Sequence, residues 1–96
     1  MKTTFYISLH IKTPWGFETY GTFELGNDRK KAGDIFSQLS GDENVSDKTI
    51  LHIDFTELTN GIPLPLKILH CTLDEIALNV RIITRELFKN MGLSTI

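Results

Sequence analysis

A single cysteine in 96 residues excludes an internal disulfide and a cysteine-based zinc cage, and it fits a reducing compartment. Nowhere does the chain hold the roughly 20 consecutive apolar residues of a membrane-spanning helix. Met1-Lys2-Thr3-Thr4-Phe5 leads straight into an alternating strand rather than a signal peptide. A cytoplasmic location without a membrane partner is therefore expected. Charge of one sign is missing as well: ten Lys and Arg stand against twelve Asp and Glu, for a net charge of −2. No global attraction to a polyanion follows from that balance. Neither glycine-rich phosphate fingerprint, G-x-x-x-x-G-K-[ST] or G-x-G-x-x-G, occurs. What is present is 41% hydrophobic and 23% charged residues, the composition of one small globular domain spanning residues 1–96.

The pattern predicts two hairpins, each followed by a helix. Phe5, Ile7, Leu9 and Ile11 alternate with Tyr6, Ser8, His10 and Lys12, the period of a half-buried strand. A turn at Thr13-Pro14-Trp15-Gly16 then sets Leu9 opposite Gly21 and His10 opposite Tyr20. Asn27 or Asp28 caps a helix with Ala32, Ile35, Phe36 and Leu39 on one face, and Gly41 stands where it should stop. Leu51, Ile53 and Phe55 begin the second hairpin, which Asn60-Gly61 closes as a type I′ turn. Counting outward from that turn pairs Thr56 with Pro65, Asp54 with Lys67, His52 with Leu69 and Leu51 with His70. Pro63 and Pro65 require this last strand to be an edge. Thr72-Leu73-Asp74-Glu75 is a capping box, opening a helix with the stripe Ile76, Val80, Ile83, Leu87 and Met91 and a stop at Gly92. The expected fold is an α+β two-layer sandwich, ββαββα, with a four-stranded antiparallel sheet in the order 2-1-3-4 and both helices on one face.

Several surfaces invite a function. The uncovered sheet face is expected to carry Tyr6, His10, Tyr20, His52, Asp54, Ile50, Leu69 and Pro65, more apolar than solvent requires. Leu78 and Ile82 lie opposite the main stripe of the last helix, and Trp15 sits at a hairpin tip. These residues point to a non-catalytic interaction module, a homodimer or a partner-binding protein, with no cofactor, no metal and no catalytic residue assigned. One alternative is an anion or nucleic-acid contact made by Arg29, Lys30 and Lys31 or by Arg81, Arg85 and Lys89, against which the acidic overall balance weighs. Another is a small enzyme or metal binder at the open face, where His10, His52 and Asp54 meet if the first and third strands are neighbours. Cys71, just before the final helix, is read as a packing residue rather than a reactive thiol.

Overall fold

The computed structural model describes residues 2–44 and 49–90. The element order is β1 (Thr3–Thr13), β2 (Gly16–Gly26), α1 (Arg29–Ser37), β3 (Leu51–Thr59), β4 (Ile62–Cys71) and α2 (Leu73–Asn90). The sheet is wholly antiparallel in the order β2-β1-β3-β4, and α1 and α2 cover one of its faces. The expected stop at Gly92, the stripe residue Met91 and the loop segment 45–48 lie outside the described residues. Among the described residues, no helix is long and apolar enough to cross a membrane.

Local chemistry explains the element ends. Asp28 caps α1 by accepting from the backbone N–H groups of Lys30 and Lys31. The capping box forms as read: Thr72 N–H donates to Glu75 Oε1 at 2.9 Å, and Glu75 N–H donates to Thr72 Oγ1 at 3.3 Å. Asn60 and Gly61 both take positive φ, 52° and 80°, as a type I′ turn requires.

Alternate residues of β1 and β3 (Phe5, Ile7, Leu9, Leu51, Ile53, Phe55) pack under the helices against Ala32, Ile35, Phe36, Ile76 and Ile83. Phe36 stacks on Phe55 with ring centroids 5.0 Å apart. β4 is an edge strand, as its prolines demand, and its far end is closed by Asp42, which exchanges two backbone hydrogen bonds with His70.

Three departures from the simple pattern matter. Helix α1 ends at Ser37, four residues before Gly41. Gly41 serves a different need: a Cβ there would lie 2.9 Å from Leu69 Cβ and 3.1 Å from the carbonyl oxygen of His70. The chain approaches β4 too closely for any side chain. Gly41→Ala should therefore cost about 1–3 kcal/mol by overpacking, read as a lower urea midpoint; an unchanged midpoint would show that the strand yields freely.

The second departure is in register. β1 and β2 pair as expected from Tyr6↔Glu24 through Leu9↔Gly21, then Tyr20 is left over as a bulge and His10 faces Thr19. Likewise β3 and β4 keep the expected Thr56↔Pro65 next to the turn, after which Leu66 is the extra residue. Beyond it Ile53 faces Leu69, His52 faces His70 and Leu51 faces Cys71. Leu69 is consequently buried in the core and not on the open face.

The third concerns α2. Ile82, expected on its outer side, is buried. Asn79, Ile82 and Glu86 fall at i, i+3 and i+7, on one side of the helix. Asn79 bonds to Ser40 and Glu86 to Gln38, so that side faces the chain leaving α1.

A histidine and carboxylate cluster on the open sheet face

The two bulges decide what the open face contains. In a regular ladder, Asp54 would face Lys67. Instead Lys67 pairs with Glu43 at 3.1 Å, and Asp54, released from it, is flanked by two imidazoles. His10 Nε2 stands 2.9 Å from Asp54 Oδ2, and His52 Nε2 stands 3.3 Å from Asp54 Oδ1. His10 and His52 are direct cross-strand partners, with ring centroids 4.6 Å apart. The bulge at Tyr20 brings Thr19 alongside, where its Oγ1 lies 2.8 Å from His10 Nδ1. Phe17 sets its edge against the His52 ring at 4.5 Å.

Thr19 occupies Nδ1 of His10, so Nε2 is the nitrogen turned toward the carboxylate. Two lone pairs 2.9 Å apart repel, so either the neutral ring carries its proton on Nε2 and donates it to Asp54, or a metal ion stands between them. The proton alone leaves the site incompletely paired. His10 Nε2, His52 Nδ1 and Asp54 Oδ1 are buried without a well-directed hydrogen bond, a condition that is costly in a native interior.

Burial is the chief cause that holds the His52 pKa below its ordinary 6.5, aided by the neighbouring His10 and His70 and opposed by Asp54. His52 is thus a neutral imidazole at neutral pH, the form that ligates metals. The linkage has a definite sign. A depressed folded-state pKa means that the unfolded chain binds the proton first as pH falls, so stability is full above about 6.5 and declines through the folded-state pKa. Urea midpoints measured from about pH 8 to about pH 5 should fall toward acid for the wild type and fall less for His52→Gln; a midpoint that rises on acidification contradicts this account.

The other candidate residues are placed as follows. Trp15 is 90% exposed at the tip of the first hairpin, and Leu78 is exposed on α2. Tyr20, as the bulge residue, no longer faces His10, though it is half exposed. Tyr6 is half-buried on the open face, in a shallow recess lined also by Thr4, Thr22, Glu24 and Leu58. Three of the six basic residues are engaged by acids: Arg29 with Glu57 at 3.8 Å, Arg85 and Lys89 with Glu86 at 3.3 and 3.2 Å. Hydrogen bonds from Gln38, Lys89 and Arg85 hold the Glu86 pKa low. Arg81 is exposed, and the backbone N–H groups of Lys30 and Lys31 are taken by Asp28. Cys71 is buried and its thiol is pushed up to about 11, first by burial and then by Glu75. It is protonated at neutral pH, which suits the packing role.

Two participants escaped the sequence reading, Thr19 and His70. Both are hidden by a bulge, and only the uneven hydrophobic alternation around Tyr20 and Leu66 hints at one. Comparison with protein-family models, curated proteins and solved structures finds no match to this chain.

Proposed function

We propose that this protein binds a divalent first-row transition metal ion on the open sheet face through His10, His52 and Asp54. One observation carries the reading: two imidazole nitrogens on neighbouring strands converge on the two oxygens of one carboxylate, with three of the group's polar atoms buried and poorly satisfied. Among the described residues this is the one group of three whose ligand atoms lie within 4.8 Å of one another. Ions bound at roughly 2.0–2.2 Å hold their ligand atoms roughly 3–3.5 Å apart, close to the 2.9 and 3.3 Å found between the nitrogens and the carboxylate. Two nitrogens and one oxygen favour zinc, iron or a neighbouring metal over magnesium or calcium. With an ion on Nε2, the His10 Nδ1–H would donate to Thr19 Oγ1, 2.8 Å away, the usual work of an outer partner to a ligating histidine.

The test uses untagged protein, since an added histidine tag would bind metal itself. Calorimetric titration with Zn²⁺ should give saturable binding of one ion per chain and a thermal midpoint that rises with metal concentration. Thr19→Val, which removes the hydroxyl and keeps the shape, should weaken binding by roughly 10- to 100-fold. Absence of saturable binding by the wild type ends the proposal.

A second reading, contact with a second copy of the chain, is favoured by exposed Trp15, Phe17, Ile68 and Leu78. Leu69 and Ile82, being buried, do not belong to that surface. Light scattering of the wild type against Leu78→Glu and Tyr20→Glu tests it, and a strict monomer at high concentration removes it.

A further inference from the structure

We infer that His70 supplies a fourth ligand, so that the site closes around zinc as a three-histidine, one-carboxylate centre. This rests on the metal reading above and goes beyond it, because a closed four-ligand site differs in kind from an open three-ligand one. Structural zinc is held by four protein ligands in a tetrahedron, whereas two histidines and one carboxylate with vacant positions suit iron and reactive chemistry.

The argument begins with the register. The chain has three histidines, and all three stand in one row across the sheet: His10 faces His52, and His52 faces His70. The His70 ring meets the His52 ring with centroids 5.8 Å apart. Without the bulge at Leu66, His70 would point into the core; with it, the imidazole emerges on the same face as the cluster.

His70 also has no competing duty. Its main chain is held on both sides, by β3 and by the two hydrogen bonds to Asp42. Its imidazole is half-buried and makes no hydrogen bond or ion pair with any other described residue. With the backbone fixed and the ring held only by its edge contact with His52, only the side-chain torsions need adjust. His70 stands outside the group whose ligand atoms lie within 4.8 Å of one another, so its ring must turn toward Asp54 for a nitrogen to join the ligands of His10, His52 and Asp54. The bound ion would tie three of the four strands together on the face that no described helix covers.

Cobalt(II) discriminates the two geometries, because four-coordinate cobalt absorbs visible light much more strongly than six-coordinate cobalt. Untagged wild type titrated with Co²⁺ should develop an intense visible spectrum that Zn²⁺ displaces. His70→Gln should still bind one Co²⁺, with affinity reduced by more than roughly tenfold and the intense bands lost; circular dichroism confirms its fold. Strong binding with weak bands in the wild type, unchanged in His70→Gln, overturns the fourth ligand and leaves the three-ligand site standing. No Co²⁺ or Zn²⁺ binding by the wild type overturns both.

Discussion

His52→Ala is expected to abolish metal binding, with an affinity loss of more than about 100-fold, beyond the range of changes to outer partners. His52 sits at the centre of the row, in contact with His10, His70 and Phe17 and with its Nε2 directed at Asp54. Its removal takes away a donor and unfastens the other rings at once. Phe17→Ala separates these effects: it removes a ring packed on His52 but no donor, and should change affinity only a few-fold. Equal losses in the two variants, measured by competition against a chelator of known affinity, would mean that the cluster is a packing feature without a ligand role.

Asn79→Ala is expected to destabilise the fold by about 2–4 kcal/mol without altering metal affinity. Asn79 is fully buried on α2. Its Oδ1 accepts from the Ser40 N–H at 2.8 Å, and its Nδ2 donates to the Ser40 carbonyl at 2.8 Å. A weaker contact reaches the Cys71 sulfur at 3.7 Å. One side chain thus satisfies both backbone groups of the residue that carries the chain from α1 toward β4. Truncation leaves the Ser40 N–H unpaired and its carbonyl with only the weak Cys71 thiol contact at 3.4 Å, and it adds a cavity, while His10, His52 and Asp54 stand on the opposite face of the sheet. Urea unfolding measures the loss. A change below about 0.5 kcal/mol, the scale of an ordinary surface substitution, would show that Ser40 finds other partners.

The two predictions concern opposite faces of the sheet, and the two faces were unequally legible. On the helix-covered face, alternation in β1 and β3, the Asn-Gly turn, the capping box and the tandem prolines all spoke for the same architecture. Asn79 was missed because a polar residue in a buried stripe is recognised only once its partner, 39 residues away, is known. On the open face, His10, His52 and Asp54 were visible as a contingent grouping that required β1 beside β3, and the sheet order supplies that adjacency.

Register was the harder matter. β4 reads Ile62, Pro63, Leu64, Pro65, Leu66, Lys67, Ile68, Leu69, with apolar residues at both parities beyond Leu66, so hydrophobic pattern selects its register only weakly. Beyond Leu66, which packs against the core, both registers offer it apolar residues, Ile68 in one and Leu69 and Cys71 in the other. The structure takes the second, which seats Leu69 and Cys71 against Gly41, where no larger residue fits, and delivers the chain to α2 from the core side.

The single cysteine remains informative: Cys71 is buried in the core, so the proposed site draws its donors from histidine and carboxylate. By itself the sequence determined the elements, the N-terminal caps of both helices, the Asn60-Gly61 turn and β4 as an edge strand, because those depend on neighbours a few residues away, whereas the end of α1 was not among them. Tertiary structure alone decided where the bulges fall, and through them that Lys67 leaves Asp54 while Thr19 and His70 join the histidines. The physical reason is the period of two in a strand: one extra residue moves everything beyond it to the other face, and where both faces can be apolar, only packing against distant segments settles which is chosen.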